Sequence, residues 1–226
     1  MLDNGKIDQK MVEQMKATVV QMLKGIERYN PENLQTLEHY VKVQAAENAY
    51  DLEANLTVLK LYQFTPSKYR ESIAELIMLK ALTNLPHSDF VLCKCLLSPE
   101  TLGTDRMMRI QDLAENLERC NFVDFWMLLE NLRSLVNPIV GFDDSIRKFI
   151  CHVIGITYQT VDKRQLQRLL GNISEGDLKS WMQKYGWKLQ DDNTTVFISV
   201  QDTIKSKNIT EKIEFENVAP LMAKSF

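Results

Sequence analysis

The feature that most constrains the fold of this chain is a repeated helical spacing of apolar residues. From residue 11 to residue 140, apolar residues recur every three or four positions, as they do on one face of an amphipathic helix. Short segments separate the stretches, for example "NPEN" at 30–33, "TPS" at 65–67 and "SPE" at 98–100. Because short connections place neighbouring helices antiparallel, the pattern predicts a mainly α fold with a run of about seven helices.

Part of one helical stretch recurs further along the chain. The segment "VLKLYQFTPS" at 58–67 is echoed by "MLKALTNLPH" at 78–87, with Leu-Lys and proline at the same places. One helix in about 20 residues is half of the roughly 40-residue helical pair of HEAT-type repeats. The echo favours a HEAT-like stack of antiparallel helical hairpins over residues 11–140, preceded by a flexible N-terminus at 1–10. An irregular helical bundle with an accidental similarity is the alternative.

Several stretches carry specific expectations about burial. The first helix is expected to extend its apolar face from Met11 to Ile26, and the third to place Leu59 and Gln63 on one inner stripe. The segment "DFVLCKCLL" at 89–97 is apolar nearly all round, which predicts a helix buried on most sides. Carboxylates are expected on exposed helix faces, paired with Lys or Arg.

The pattern changes after "NPIVGFDD" at 137–144, where Pro138 and Gly141 indicate a domain boundary. Three helices are expected next, at 144–159, 161–171 and 172–187. Ser174 is the expected N-cap of the last one, and its inner face is expected to hold Leu178, Trp181, Met182 and Tyr185. The alternation in "WKLQ" and "TVFISV" then predicts a small β-hairpin. This order predicts a winged-helix domain at 141–200, followed by a C-terminal tail or helix at 201–226.

The sequence lacks the recognised patterns for catalysis, a cofactor or a metal. Glycine loops for nucleotides, the nucleophile elbow of serine hydrolases and paired metal-binding histidines are absent. The cysteines lie in apolar stretches, where a free cysteine behaves as a small hydrophobe, so buried reduced thiols are expected at Cys93, Cys95, Cys120 and Cys151. The expected protein is therefore not an enzyme and has no cofactor. A pair of carboxylates brought together from distant helices is the alternative.

The sequence also predicts where the protein resides. The N-terminal "MLDNGKIDQKMVEQMK" lacks the organisation of a secretory signal. The longest apolar runs, such as "LIML" at 76–79, are far shorter than the roughly 18 residues of a membrane span. Reduced thiols are typical of the cytosol and nucleus. A soluble cytoplasmic protein is expected, with the nucleus as a second location.

The charge of the predicted winged helix argues against DNA as its partner. DNA-binding winged helices rely on cations that meet phosphates. Residues 174–199 contain four carboxylates and three lysines. These are Glu175, Asp177, Asp191 and Asp192, and Lys179, Lys184 and Lys188. Because the tip of the hairpin would present two carboxylates to phosphate, this segment favours binding to other proteins.

Two groups of residues are candidates for partner binding. The candidates are Lys179, Lys184, Lys205 and Lys207 together with the apolar Ile209, Ile213, Phe215 and Leu221. The apolar residues of 209–226 need a partner surface, either in this chain or in another. The second hypothesis is a direct contact with RNA or ribosomal RNA through Lys205, Lys207 and Lys212, or through Arg106 and Arg109.

Six long stretches of the chain carry a specific resemblance to a known family. They are "MLKGIERYNPENLQTLEHYV" at 22–41, "ENAYDLEANLTVLKLYQF" at 47–64, "MLKALTNLPHSDFVLCKC" at 78–95, "GFDDSIRKFICHVIGITYQ" at 141–159, "WMQKYGW" at 181–187 and "KNITEKIEF" at 207–215. They resemble the k-subunit family of eukaryotic translation initiation factor 3, which belongs to the PCI-type subunits. The resemblance covers roughly residues 11–223.

The resemblance implies a non-catalytic scaffold subunit with a HEAT-like helical domain followed by a winged helix. It implies that the chain lies at the periphery of the factor, pairs with the l subunit, and contacts the core through its winged helix and C-terminal region. The whole factor binds the 40S ribosomal subunit and supports recruitment of messenger RNA and initiator tRNA. A role in translation initiation through protein–protein contacts is therefore the function that the resemblance implies.

Overall fold

The chain is mainly helical, as the sequence predicts. The computed structural model describes residues 9–191 and 193–198, with side chains from residue 13 onward. Its helices are α1 (Gln9–Met22), α2 (Leu34–Ala46), α3 (Leu52–Phe64), α4 (Glu71–Leu82), α5 (Asp89–Cys95), α6 (Pro99–Leu102), α7 (Asp105–Glu118), α8 (Phe122–Asn131), α9 (Arg133–Val136), α10 (Phe142–Thr157), α11 (Lys163–Leu169) and α12 (Glu175–Tyr185). Its strands are β1 (Thr160–Asp162), β2 (Lys188–Leu189) and β3 (Thr195–Phe197). Short 3-10 turns lie at Gly25–Tyr29, Pro31–Asn33 and Pro66–Lys68.

Side-chain caps begin several of these helices. The Asn30 side chain accepts a hydrogen bond from the backbone N–H of Glu32 and so caps the turn before α2. The Asp51 carboxylate caps α3 by accepting from the N–H of Ala54 at 3.1 Å. Each cap satisfies a backbone donor that the first helical turn leaves without a partner. These helix starts are therefore encoded locally in the sequence.

The helix α4 is the centre of the helical part. It packs against α2, α5 and α7. Every residue from Ile73 to Leu82 is buried. This helix is therefore buried around its whole circumference and not along one face only. A helix that is surrounded on all sides in this way is buried in the interior of the protein.

Three burial predictions are wrong. The first helix ends at Met22, because Gly25 takes a left-handed φ of 58° that turns the chain, and Ile26 is 83% exposed. On α3, Gln63 lies on the exposed side and donates to the carbonyl of Leu96. On α5, only one side is covered, and Val91 and Leu92 are almost half exposed.

Carboxylates also occur inside the protein, contrary to the prediction that they all lie on exposed faces. Glu38 on α2 accepts a hydrogen bond from the Tyr62 hydroxyl at 2.8 Å and pairs with Arg70 at 3.3 Å. Glu75 on α4 pairs in the same way with Arg106 at 3.3 Å. Burial raises the pKa of Glu75, and Arg106 opposes that rise. A third buried carboxylate, Asp89, accepts from Tyr50 and Asn84. These partners compensate the cost of burying a charge.

One buried cation lacks such a partner. Lys80 on α4 is 1% exposed, and no carboxylate in the described part of the chain forms an ion pair with it. Burial lowers the pKa of its ammonium group from 10.5 to about 8. Between these two pH values the unfolded chain binds a proton that the folded chain does not. This term therefore destabilises the fold increasingly as the pH falls through the window, and it is constant below about pH 8.

Replacing Lys80 with Met should therefore stabilise the protein. At pH 7 we expect the free energy of unfolding to rise by about 3 kcal/mol, since the pKa falls from 10.5 to about 8 and each pKa unit corresponds to about 1.4 kcal/mol. The gain should shrink as the pH rises towards 10.5. Urea unfolding of both proteins at pH 7 and pH 10 measures it. The control Lys42→Met removes an exposed lysine of α2 and should change stability by less than about 0.5 kcal/mol. A gain for Lys80→Met that is equal at both pH values would contradict this account.

A three-stranded antiparallel sheet follows α10, with the strand order β1–β3–β2. The predicted hairpin is confirmed for the described residues, because Leu189 pairs with Val196 and Lys188 with Phe197. The first strand is not predicted. Thr160–Asp162 pairs with Thr195–Phe197, so the helix expected at 161–171 begins only at Lys163. Residues 199–200, the end of the predicted second strand, lie outside the described residues.

A tryptophan joins α8 to the elements that follow α10. The indole N–H of Trp126 donates to the carbonyl of Leu169 at 2.9 Å. The Arg147 guanidinium of α10 lies 5.1 Å from the centre of the Trp126 ring and donates to the carbonyl of Leu170 at 3.1 Å. Gly171 packs against the same ring with a left-handed φ of 87°. We call these residues, Trp126, Arg147 and 169–171, the tryptophan clamp.

A second contact holds the segment at 137–141 on the N-terminal helices. The N–H of Val140 donates to the carbonyl of Ala45 at the end of α2 at 2.9 Å. Gly141, with a φ of 70°, lies against the Asn48 side chain. The backbone between α9 and α10 is therefore hydrogen-bonded to α2, unlike an extended linker, which makes no such contact.

Candidate interaction surfaces

The helix α12 carries the two candidate lysines that the structure describes. Its start is the predicted one: Ser174 Oγ accepts from the N–H of Asp177 at 3.1 Å and donates to the Asp177 carboxylate at 2.7 Å. Its end is also the predicted one, at Gly186 with a φ of 71°. Lys179 and Lys184 are exposed. Since they are five residues apart, they point about 140° away from each other around the helix, and they do not form one basic patch.

Each lysine of α12 lies near a group with which it interacts electrostatically. The Lys184 ammonium lies 4.8 Å from the centre of the Trp181 ring, a cation–π contact. Lys179 and Lys163 both lower the pKa of the Glu175 carboxyl, with Lys163 the larger cause through a hydrogen bond of 2.7 Å. The described surface around α12 is therefore electrostatically mixed, and it lacks the run of free cations that phosphate binding requires.

Three aromatic rings form a row along the end of α12. Trp181 and Tyr185 stack with centroids 6.1 Å apart and planes 16° apart, and Tyr185 lies 5.3 Å from Trp187. The prediction that all four apolar residues of α12 point inward is wrong for Tyr185, which is 36% exposed. Leu178 and Met182 do face the core. The row therefore places the amphipathic ring of Tyr185 at the surface, where it can contact another protein.

On the outer face of the sheet, the described residues form no cluster of like charges. Lys188 and Thr160 flank Phe197, which is 38% exposed, because directly paired residues share one face. Asp191 is exposed at the turn of the hairpin, and Asp192 lies outside the described residues. The exposed acid at this turn agrees with the predicted charge of the hairpin.

The remaining candidates of the tail cannot be placed on a surface. Lys205, Lys207, Ile209, Ile213, Phe215 and Leu221 lie outside the described residues, as does Lys212. Their role in partner binding stays a prediction. The arginines of the RNA hypothesis can be placed, and both are paired: Arg106 with Glu75, and Arg109 with Asp105 at 3.0 Å.

A wide groove between α5 and α7 is a surface that the sequence did not indicate. It has a volume of about 1230 Å³ and is lined on the α5 side by Val91, Lys94 and Cys95. On the α7 side its lining runs from Asp105 to Arg119. Val91 and Met108 expose 48% and 47% of their surface there. The apolar run at 89–97 belongs to this surface, but by itself it predicts a helix buried on most sides.

Two of the four cysteines are exposed, contrary to the prediction. Cys93 and Cys151 are buried, and burial raises the pKa of each thiol to about 12. Cys95 lines the groove, and Cys120 follows the end of α7 with a left-handed φ of 59°. The described residues contain no group of three or more His, Cys, Asp or Glu side chains that could hold a metal ion. Within the same residues, no helix is both long enough and apolar enough to cross a membrane.

Comparison with known proteins identifies the family. A profile of the CSN8/PSMD8/EIF3K family matches residues 68–208. The chain is 52% identical over 215 residues to the human protein named eukaryotic translation initiation factor 3 subunit K, covering 95% of this chain and 99% of the relative. It is 55% identical over 214 residues to the protein of the same name from Bombyx mori, covering 94% and 97%. The corresponding Anopheles gambiae protein is 54% identical over 205 residues, covering 91% and 92%. The chain therefore belongs to the CSN8/PSMD8/EIF3K family, and within it to the subunit K proteins of eukaryotic translation initiation factor 3.

Proposed function

We propose that this chain is a non-catalytic scaffold subunit of eukaryotic translation initiation factor 3 and acts through contacts with other subunits. The observation that carries the proposal is the identity of about half of all residues with proteins named as subunit K, over 91–95% of this chain. Identity of this extent supports a shared fold, and the proposal extends it to shared surfaces for binding partners. The other subunits of the factor, with the l subunit as the neighbour, are therefore the proposed partners.

Two features support a HEAT-like helical domain over 11–140. The buried Glu–Arg pairs recur: Glu75 follows Glu38 by 37 residues, and Arg106 follows Arg70 by 36. This spacing is close to the roughly 40-residue period of HEAT-type repeats, and it is longer than the 20-residue echo in the sequence. The pairs link α2 to the start of α4, and α4 to α7, as successive repeats of a stack would.

The C-terminal elements support a winged-helix domain at 141–200. Their order is α10, β1, α11, α12, β2 and β3, and the sheet has the strand order β1–β3–β2. The mixed charge around α12 favours protein partners for this domain over nucleic acid. In this proposal the chain reaches the 40S ribosomal subunit, messenger RNA and initiator tRNA only as part of the factor, which operates in the cytoplasm.

A pull-down of the tagged full chain from cytosolic extract tests the proposal. Mass spectrometry should recover the initiation-factor subunits, with the l subunit strongest, and recovery should survive nuclease treatment. Removing residues 209–226 should lower recovery by at least about tenfold, which corresponds to about 1.4 kcal/mol of binding free energy, while the helical part still folds by circular dichroism.

One result would overturn the proposal, and a second would remove only the tail as the binding segment. If nuclease abolishes recovery, the contacts run through RNA, and the alternative of a winged-helix module that binds ribosomal RNA replaces it. The slope of the logarithm of the RNA-binding constant against the logarithm of the salt concentration, measured by filter binding, would then give the number of phosphate contacts. If the chain without 209–226 recovers the subunits as well as the full chain does, the tail is not the binding segment.

A further inference from the structure

We propose that the groove between α5 and α7 binds a basic amphipathic helix of a partner protein. This inference rests on the proposed role in protein assembly and adds a second binding surface, formed by α5, α7 and α8 of the helical part. The groove walls are Val91, Lys94 and Cys95 of α5 and the exposed side of α7, with Leu128 of α8 also in the lining. An apolar surface that is half exposed and rimmed by charge is typical of a protein interaction site.

The shape of the groove fits a helix. The lining residues of α7 lie on neighbouring rows in which positions are three to four residues apart, so they form one broad side of the helix. They are Asp105, Met108, Arg109, Gln111, Asp112, Ala114, Glu115, Glu118 and Arg119. This side is about 20 Å long at 1.5 Å per residue, the length of a partner helix of three to four turns. Neither α5 nor α7 offers a strand edge to an extended peptide, whereas parallel ridges of side chains accept another helix. Met108 in the lining adds a flexible apolar side chain that adapts to the partner.

The charges of the groove select a basic partner. Both arginines of the α7 wall are neutralised on their own helix: Arg109 by Asp105 at 3.0 Å and Arg119 by Glu115 at 2.6 Å. In the described part of the chain, Asp112 and Glu118 have no ion pair. The α7 wall therefore presents two uncompensated carboxylates, and Lys94 presents a single cation on the opposite wall. A helix with an apolar stripe and lysines along its α7 side complements both features.

The test uses a synthetic helical peptide of about 15 residues, the length that spans α7. It carries a leucine stripe flanked by lysines, and a second peptide replaces these lysines with glutamates. Fluorescence anisotropy on the full chain should show at least about tenfold weaker binding of the acidic peptide, a difference of about 1.4 kcal/mol. The variant Asp112→Lys with Glu118→Lys should reverse this preference. Equal affinities for the two peptides would overturn the proposal.

The chain offers matched control variants for the apolar residues of the groove. Val91→Asp and Met108→Asp place a charge in the groove and should weaken binding of the lysine peptide about tenfold or more. Leu92→Asp and Met127→Asp alter residues of α5 and α8 that are 45% and 59% exposed but do not line the groove, and they should change affinity less than about twofold. Equal losses in both sets would overturn the assignment. Wild-type self-association that Met108→Asp abolishes would also overturn it, because a second copy would then be the occupant.

Cys95 reports on the groove in the assembled factor. Its exposed thiol lies in the lining, so an occupying helix should slow its reaction with maleimide at least about tenfold relative to the free chain. Failure of the two proposals can be told apart. If the wild-type chain recovers no initiation-factor subunits, the proposed function fails. If it recovers them but Cys95 reacts equally fast in the free and assembled states, only the groove assignment fails.

Discussion

Replacing Trp126 with Ala is expected to lower the free energy of unfolding by about 3–5 kcal/mol, the range for removing a large buried aromatic side chain. The indole is 6% exposed, and it contacts Phe125 edge to face at 5.1 Å. Its loss would leave a cavity, an unpaired Leu169 carbonyl and an Arg147 guanidinium without its aromatic neighbour. Urea denaturation followed by circular dichroism measures the change.

Trp126→Phe separates packing from hydrogen bonding. Phe keeps much of the ring but lacks the N–H that donates to Leu169, so we expect a loss of about 1–3 kcal/mol, the cost of an unsatisfied buried carbonyl. The exposed Met127→Ala on the same helix is the control and should cost less than about 0.5 kcal/mol. If Trp126→Ala costs no more than Met127→Ala, the tryptophan clamp does not stabilise the fold.

Replacing Gly171 with Ala should cost about 2–4 kcal/mol, because two effects add. The left-handed φ of 87° costs an L-residue about 1–2 kcal/mol. A Cβ at this position would also lie 2.8 Å from Cδ2 of Trp126, which is closer than carbon atoms pack, so the ring or the backbone must shift. Forcing such a shift in a packed region costs about 1–3 kcal/mol. Chemical denaturation of the full chain measures the sum.

Gly186→Ala is the matched control for Gly171→Ala. Its φ of 71° carries the same backbone cost, but a Cβ there would meet no atom within 4 Å. We expect a loss of only about 1–2 kcal/mol. The difference between the two variants therefore measures the contact with Trp126. Equal losses would show that the backbone conformation alone accounts for Gly171. In the background of Trp126→Ala, the clash disappears, and the cost of Gly171→Ala should fall towards that of Gly186→Ala.

Features that depend on neighbours in the sequence could be predicted. The cap at Ser174 and the stop at Gly186 bound α12 as expected, since a cap involves residues only three positions apart. The buried stripe of α7, with Ile110, Leu113 and Leu117, follows directly from helical spacing. The helix predicted at 172–187 contains the candidate lysines Lys179 and Lys184, whereas the contact of Lys184 with Trp181 and the effect of Lys179 on Glu175 depend on the folded structure.

Features that depend on residues distant in the chain could not be predicted. The strand β1 exists because Val161 pairs with Val196, and nothing within three residues of Val161 requires a strand. Glu38 is buried because Tyr62 and Arg70 reach it from other elements. The groove exists because α5 is covered on one side only, and helical periodicity does not report how many neighbours a helix has.

The sequence by itself determined that the chain is mainly helical, where several helices begin or end, and which family it resembles. These are properties of short segments, because capping, helical spacing and motif identity involve residues close together in the chain. Only the tertiary structure decided which apolar faces are covered, which charges are buried with partners, and which surface between α5 and α7 is left open. The physical reason is that burial is a property of packing between elements, and one sequence can place the same amphipathic face against a neighbour or leave it free for a partner.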